Sequence, residues 1–212
     1  MRNLFSLDGP LAQIMNTVAD LVIINLLWLV CSLPIITIGA ASVAAHYACQ
    51  KLLRSEGSIV RNFFASFKLN FKQATFAWLL IVLVAICLFV DIGILLPLSF
   101  PGKTLINILL GLIIFICLFI TSYLFPLLAQ FDNTLKNMII NSLRFSLMHL
   151  ITTILLILPV VAIAAILIFA TDYFVRLGML WILLGFSLPA YFQNRLLTKV
   201  FAPYMDDNSQ SV

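Results

Sequence analysis

The stretch KLLRSEGSIVRNFFASFKLNFK, residues 51–72, predicts how the whole chain is organised. It carries a single acid, Glu56, and apolar sequence surrounds it; its five basic residues are Lys51, Arg54, Arg61, Lys68 and Lys72. Lys and Arg are not readily carried across a bilayer, so a cluster of this kind stays on the cytoplasmic side. Its position therefore predicts the orientation of every membrane span around it.

The composition is that of an integral membrane protein. Of the 212 residues, 63% are hydrophobic and 9% are charged, whereas a soluble domain has about 25% charged residues. The net charge of +4 comes from basic residues between apolar runs, which indicates contact with anionic lipid headgroups and no nucleic-acid partner. The four cysteines show neither metal-site spacing nor a disulfide framework, so no metal or other cofactor is expected.

Five segments are long and apolar enough to cross a bilayer, which takes about 20 residues of helix. They cover residues 11–33, 74–96, 105–128, 150–170 and 177–197. They predict an all-α, polytopic membrane helix bundle with one or two additional cytoplasmic interfacial helices. We expect one transmembrane domain over residues 1–203, helical hairpins at the short links 97–104 and 171–176, and a polar tail over residues 204–212.

The distribution of basic residues predicts an N-terminus outside the cell and a C-terminus inside it. With residues 51–72 inside, five spans leave nine basic residues inside and three outside. The outer residues are Arg2, Lys103 and Arg176; the inner ones are Lys51, Arg54, Arg61, Lys68, Lys72, Lys136, Arg144, Arg195 and Lys199. The opposite orientation would reverse that ratio, so it is disfavoured.

Residues 35–53 do not fit the five-span scheme cleanly. The segment follows Pro34, contains Gly39, and is short and polar for a sixth span. Its alanines recur at intervals of four residues, a small-residue face suited to close helix packing. If this segment did cross the membrane, only the N-terminus would change sides, to the inside.

An amphipathic helix is predicted over residues 59–73. At 100° per residue its four phenylalanines share one face, and three basic residues lie together about a quarter-turn away. The phenylalanines are Phe63, Phe64, Phe67 and Phe71, and the basic residues are Arg61, Lys68 and Lys72. Such a helix is typical of the membrane interface; alternatively, the phenylalanines pack against the spans and the cations are simply solvated. Residues 132–149 form a second, less clearly amphipathic segment, which Asp132 could cap.

Prolines occur near the cytoplasmic end of each inward-running span, at Pro34, Pro126 and Pro189. Each removes a helical hydrogen bond from the carbonyl four residues earlier. In a membrane those carbonyls need new partners or a wet cavity. We favour local repair of the gaps; the alternative is that the broken helices line a cavity.

Three stretches carry a resemblance to a known family: LLWLVCSLPIITIGAAS at 26–42, FKLNFKQA at 67–74 and YLFPLLAQFDNTLKNMIINSL at 123–143. They resemble the YesL-like family of bacterial membrane proteins, which has no established biochemical activity. The resemblance extends over most of the chain, and residues 32–39 are its most specific part. It implies an accessory role beside carbohydrate uptake systems in the bacterial cell membrane. Pro34, Gly39, Phe131, Asp132 and Asn133 match family positions of unknown role.

Asp20 and Asp91 are the only acids within the predicted spans. Ionisable groups at membrane depth are costly and commonly functional. Asp20 continues a polar stripe formed by Gln13, Asn16 and Thr17. We expect this stripe to face other helices or an outer water pocket, and Asp20 to form a polar cluster with Asp91, Lys103 and Arg176. The alternative is that the acids merely anchor helix ends at the interface.

The function classes follow from what the sequence contains and lacks. It has no phosphate-binding Gly-rich loop and no H-E-x-x-H motif, and it lacks a paired catalytic constellation, so an enzyme is not expected. The preferred interpretation is a non-enzymatic accessory or scaffold linked to carbohydrate uptake, with lipid and components of a sugar uptake system as partners. The alternative is a small secondary transporter or channel that acts as an oligomer.

Overall fold

The computed structural model describes residues 10–95, 102–169, 172 and 176–209, and within them the regular structure is helical. The described helices are α1 (Pro10–Ser32), α2 (Ile38–Leu53), α3 (Ile59–Leu95), α4 (Lys103–Gln130), α5 (Leu135–Met148), α6 (Leu150–Phe169), α7 (Gly178–Leu184) and α8 (Ser187–Ser209), with a 3-10 turn at Ile35–Thr37. The all-α prediction is therefore confirmed for the described part of the chain.

Three of these helices are long and apolar enough to span a membrane: α1, α3 and α4. The consecutive helices α5 and α6, bent by 107° at their junction, could together supply a fourth span. The predicted count of five is not confirmed, because residues 177–197 do not form one helix. The helical structure is interrupted at Gly185 and Phe186, which leaves α7 only seven residues long.

No break separates the predicted interfacial helix over residues 59–73 from the predicted span that begins near residue 74, because α3 is continuous. It contains 37 residues, about 55 Å at 1.5 Å per residue, against a hydrocarbon core of about 30 Å. No glycine or proline interrupts α3 before Gly93, so nothing in the backbone separates the two segments. Residues 59–73 are therefore the first half of a long helix.

Helix α2, in the segment that the sequence left unassigned, is the centre of the fold. Eleven of its 16 residues are buried, and it packs against α1, α3, α4 and α8. Its alanines at 40, 41, 44, 45 and 48 are fully buried. This confirms the small-residue packing face and extends it around the helix, as expected of a helix enclosed by other helices.

Gly39 lets α3 come into contact with α2. A Cβ atom at this position would collide with the carbonyl oxygen of Ala74 and lie 2.5 Å from the Cβ of Trp78. The backbone of α3 thus packs directly on Gly39. The indole Nε1 of Trp78 donates to the carbonyl of Ile35 at 2.9 Å, which holds the 3-10 turn against the same part of α3.

The turn from α1 to α2 repairs its own broken hydrogen bonds. The Thr37 hydroxyl donates to the carbonyls of Cys31 at 2.6 Å and Pro34 at 2.7 Å. The carbonyl of Val30, which Pro34 deprives of its helical donor, accepts from the N–H of Leu33 at 3.3 Å. Local repair, the favoured interpretation, is therefore what the structure shows at Pro34.

The loop between α4 and α5 joins several elements. The side chain of Gln73 in α3 donates to the carbonyl of Asn133 at 2.7 Å, so α3 and α4 form an antiparallel hairpin. Asn133 Oδ1 accepts from the backbone N–H of Thr134 and from the Asn137 amide. The N-cap residue of α5 is Thr134, which makes no side-chain cap hydrogen bond, so the predicted cap by Asp132 is wrong. The ring of Phe131 packs edge-on against Phe201.

Helices α5 and α8 differ in how far they follow the predictions. Helix α5 lies at 107° to α6, as an interfacial helix beside a span would, and the Thr153 hydroxyl bonds the carbonyls of Ser146 and His149 at the bend. The predicted polar tail from residue 204 is instead helical as far as Ser209, because α8 continues through Pro203. The predicted tail residues 210–212 and parts of the predicted links at 97–104 and 171–176 lie outside the described residues.

Candidate functional site

A buried polar network connects α2 to α8. The Gln50 amide donates to Asn194 Oδ1 at 3.0 Å, and Asn194 Nδ2 lies 2.9 Å from Nδ1 of His46. Asn194 Nδ2 also donates to the carbonyl of Ala190 at 2.7 Å. Gln50, Asn194 and His46 are all buried. Buried polar side chains that are satisfied in this way orient the helices that carry them.

The network determines which nitrogen of His46 carries the proton. Because Asn194 Nδ2 faces a carbonyl, which can only accept, that atom is the donor amide nitrogen. It therefore donates to His46 Nδ1 as well, and burial disfavours the charged imidazolium. The neutral ring consequently carries its proton on Nε2, where it is a hydrogen-bond donor.

His46 lies on the wall of a cavity of about 400 Å³ between α2, α4, α6 and α8. Ser42, one turn earlier on α2, also lines it and accepts a hydrogen bond from the indole of Trp28 at 3.1 Å. The rest of the wall is mainly aliphatic and aromatic. No Asp, Glu, Lys or Arg from the described part of the chain is among the residues that line it.

Three prolines lie around this cavity: Pro126, Pro159 and Pro189. The carbonyl of Ser122, which loses its helical donor to Pro126, belongs to a residue that also lines it. At Pro126 the Gln50 amide reaches the proline's own carbonyl at 3.4 Å, not that of Ser122. Helix α4 continues through Pro126, and Pro189 lies in the first turn of α8, so neither proline interrupts its helix. The alternative that broken helices line a cavity stays a prediction.

Asn25 of α1 holds the break between α7 and α8. Its Nδ2 donates to the carbonyl of Ile182 at 2.7 Å, and its Oδ1 accepts the backbone N–H groups of Phe186 and Ser187, each at 2.9 Å. The first N–H groups of a helix have no partner within it, so Asn25 acts as an N-cap supplied by another helix. The proline at position 189 falls in the first turn of α8, where its missing N–H costs little.

The polar stripe of α1 faces a second cavity of about 740 Å³, which lies beside the basic segment and not at the outer end where a water pocket was expected. Asp20 and the residues of the stripe line this cavity together with Lys51, Glu56 and Val60. Lys51 donates a hydrogen bond to Glu56 and holds the pKa of that carboxyl below its usual range. The beginning of α1 therefore lies at the same end of the bundle as the basic segment, whereas the five-span scheme placed the two on opposite sides of the membrane.

The predicted cluster of Asp20 with Asp91, Lys103 and Arg176 is not formed around Asp20. Val60, which shares the cavity of Asp20, and Asp91 are on the same continuous helix, about 46 Å apart at 1.5 Å per residue. Lys103 begins α4 beyond the far end of α3, and Arg176 stands just before α7. The cluster was inferred because the five-span topology places these four residues at a similar depth in the membrane. That topology assumes that the α2 segment does not return across the bundle.

The first half of α3 divides its phenylalanines between two environments. Phe63 is fully buried, and Phe67 packs against the core, stacked on Phe63 with ring centroids 6.3 Å apart. Phe64 and Phe71 are exposed on the same side as the basic residues. The packing alternative therefore holds for Phe63 and Phe67, whereas contact of Phe64 and Phe71 with the membrane interface stays a prediction. The exposed basic residues are Arg61, Lys68 and Lys72.

Sequence reasoning did not single out Asn25, Gln50 or Asn194. Asn25 and Asn194 are uncharged amides within apolar spans, a signal that marks hydrogen bonds between helices. His46 was considered only as a metal ligand together with Cys49, and that role was not favoured. The pairing of these residues could not be predicted, because Asn25 and Ser187 are 162 positions apart.

Residues 21–92 match the model of a family described as "Protein of unknown function, DUF624". The match begins within α1, includes all of α2 and ends near the end of α3, so it covers Asn25, Gly39, His46 and Gln50. It covers less than half of the chain, and it is compatible with the resemblance to the YesL-like family. No curated protein and no solved structure matches the chain.

Proposed function

We propose that the chain is a non-enzymatic accessory protein of the bacterial cell membrane, a scaffold that docks a partner protein on the first half of α3. The observation that carries this proposal is an exposed face on which three cations alternate with large apolar side chains. The cations are Arg61, Lys68 and Lys72, and the apolar side chains are Phe64, Leu69 and Phe71.

The face cannot lie in hydrocarbon. Exposed Arg and Lys side chains are costly within the bilayer core, and the three cations extend over about 16 Å of helix. Yet Leu69, between Lys68 and Asn70, is 76% exposed. A row of apolar side chains with cations beside it, outside the hydrocarbon, is suited to a partner that has both apolar and acidic groups.

The opposite side of the same helix is packed, which makes the face rigid. Phe63, Ser66, Asn70, Ala74 and Ala77 are all buried. A docking surface on a rigid element needs little ordering when a partner binds, so more of the contact energy appears as affinity. This favours a permanent binding surface over a segment that folds on binding.

Further basic residues belong to the same end of the bundle. Arg54 bonds the side chain of Gln130 at 3.5 Å, and Gln73 bonds the loop before α5, which carries Lys136. By the tendency of Lys and Arg to stay inside, this end would face the cytoplasm, and so would the beginning of α1. The partner would then be an acidic cytoplasmic segment, and the YesL-like resemblance favours a component of a sugar uptake system.

A photo-crosslinking residue in place of Leu69 tests the proposal in native membranes. The matched control is Leu83, which is 58% exposed on the second half of α3. We expect Leu69 to yield an adduct with an uptake-system protein, lost when Arg61, Lys68 and Lys72 are changed to Glu, and Leu83 to yield lipid. Lipid adducts alone at both positions would contradict a docking role.

A transporter or channel is the second candidate, and one observation favours it. The break between α7 and α8 lies beside the cavity of about 400 Å³. Transporters commonly bind their substrates at broken helices near the middle of the membrane. Solute flux in proteoliposomes separates the two functions, because a scaffold would leave the leak rate of the vesicles unchanged.

A further inference from the structure

We propose that the cavity of about 400 Å³ between α2, α4, α6 and α8 is a binding site for a small uncharged molecule. The molecule would have an apolar body and one group, such as an amide or a hydroxyl, that both accepts and donates hydrogen bonds. This inference is independent of the docking function and of the face on α3. It rests on the size of the cavity, its walls and the polar groups that reach it.

The cavity has the size and the rigid walls of a ligand site. Pockets for small molecules typically enclose about 300–1,000 Å³ and are mostly apolar with a few polar groups. Trp28 and Phe186 form part of the wall as a stacked pair, with ring centroids 4.4 Å apart and planes within 5°. The indole of Trp78, another wall residue, is held by its hydrogen bond to Ile35.

His46 supplies a hydrogen-bond donor at this wall. Its side chain is 4% exposed, and its Nδ1 is engaged by Asn194. The remaining ring nitrogen, Nε2, carries the proton, forms no hydrogen bond within the described part of the chain, and is not one of its fully enclosed unpaired atoms. It is therefore a donor within reach of a ligand in the cavity, and a ligand that accepts from Nε2 gains the net energy of that hydrogen bond.

Helix α4 supplies a matching acceptor. Pro126 removes the helical donor of the Ser122 carbonyl, and Ser122 lines the cavity. A ligand with an N–H or O–H group can donate to such a carbonyl. A lipid acyl chain would fill the same space but would leave the donor and the acceptor unpaired.

The residues described along the cavity wall include no Asp, Glu, Lys or Arg, so the ligand should be uncharged. An ion moved into such a cavity would lose its hydration without gaining a partner of opposite charge. We therefore expect a neutral amide or alcohol to bind, and its charged isostere not to bind. Benzamide, benzoate and toluene form a probe set that separates these requirements at nearly constant shape.

Isothermal titration calorimetry of the full chain in lipid nanodiscs measures the three probes. We expect saturable binding of benzamide in the millimolar range, at least tenfold weaker binding of toluene, and none of benzoate. Equal binding of toluene and benzamide would show that the cavity accepts any apolar molecule and would overturn the proposal. So would a lack of saturable benzamide binding up to its solubility.

Two neighbouring valines of α6 give a matched test of the location. Val160 lines the cavity and is 52% exposed, whereas Val161 is 53% exposed and is not part of the wall. Val160→Trp should fill the cavity and abolish the saturable heat, and Val161→Trp should leave it unchanged. Because the cavity is filled in Val160→Trp, the heat that remains with this variant measures partition of the probes into the bilayer. Equal benzamide binding by the two variants would overturn the assignment.

The role of His46 is tested with two substitutions. His46→Leu removes the donor and should weaken benzamide binding about tenfold while leaving toluene binding unchanged. His46→Gln can accept from Asn194 and still donate into the cavity, so we expect it to retain most of the affinity. Loss of benzamide and toluene together in folded His46→Leu would point to a collapsed cavity and contradict a specific donor role.

Discussion

Asn194 of α8 donates to Nδ1 of His46 in α2 across 2.9 Å, and this contact joins the centre of the fold to its last helix. The same amide accepts from Gln50 at 3.0 Å. One side chain thus completes the hydrogen bonds of two others that are buried. The first prediction concerns the removal of the Asn194 amide, which would leave Gln50 and His46 without this partner.

Asn194→Leu should lower the free energy of unfolding by about 3 kcal/mol. It leaves Gln50 and His46 buried with unmet hydrogen-bonding groups, and each such group costs about 1–3 kcal/mol. Denaturant unfolding of the purified protein in detergent, followed by circular dichroism, measures the change. The control is Thr198→Val, which removes an exposed hydroxyl bonded within α8 and should cost less than about 0.5 kcal/mol. Equal losses would show that the network contributes little.

Asn25→Ala should loosen the break between α7 and α8. Loss of an N-cap costs about 0.5–2 kcal/mol, and here the carbonyl of Ile182 loses its partner as well. Limited proteolysis should become faster around Gly185, as seen by mass spectrometry of the fragments. Thr17→Ala on the same helix removes only a local hydroxyl contact and should leave the cleavage rate unchanged. Faster cleavage in both variants would point to α1 and not to the cap.

Gly39→Ala should be destabilising although alanine is the better helix former. The added methyl group would collide with Ala74 and Trp78, and overpacking of this kind costs about 1–3 kcal/mol. Gly111→Ala in α4 is the matched control, because a Cβ there meets nothing within 4 Å. It should be neutral or stabilising by up to about 1 kcal/mol. Thermal unfolding in detergent compares the two, and a neutral Gly39→Ala would contradict the close approach of α3.

The side of the membrane reached by the beginning of α1 can be measured directly. Single cysteines at Asn16 and Ser58, in a background without the four native cysteines, should react with a membrane-impermeant maleimide from the same side. This follows because Asn16 and Ser58 line one cavity. A cysteine at Lys103, which begins α4 at the other end of α3, should react from the opposite side. Reaction of Asn16 from the side of Lys103 would restore the five-span topology.

Composition alone establishes that this chain is helical and apolar enough for a membrane. The helices around residues 11–32, 103–130 and 150–169 follow closely from their hydropathy, since a run of about 20 apolar residues has few alternatives to helix in lipid. The amphipathic pattern of residues 59–73 likewise predicts a helix there. These features depend on residues close together in the chain, which is why the sequence reveals them.

The sequence could not show which helix is surrounded by the others. Hydropathy measures the free energy of transfer from water to an apolar medium. It does not distinguish lipid from the interior of a protein. Residues 35–53 were considered too short and too polar to predict a sixth span, although α2 carries His46 and Gln50 within the protein. Their polarity is tolerated because Asn194 supplies the hydrogen bonds that lipid cannot.

What the sequence by itself determined is the class of the protein, the extent of most helices and the basic character of one end. Only the tertiary structure decided that α2 returns beside α1, that the phenylalanines of α3 divide between core and surface, and that Pro126, Pro159 and Pro189 meet at one cavity. The physical reason is that these outcomes depend on contacts between distant positions. Gln50 and Asn194 are 144 residues apart, and no local pattern records which buried amide will satisfy another.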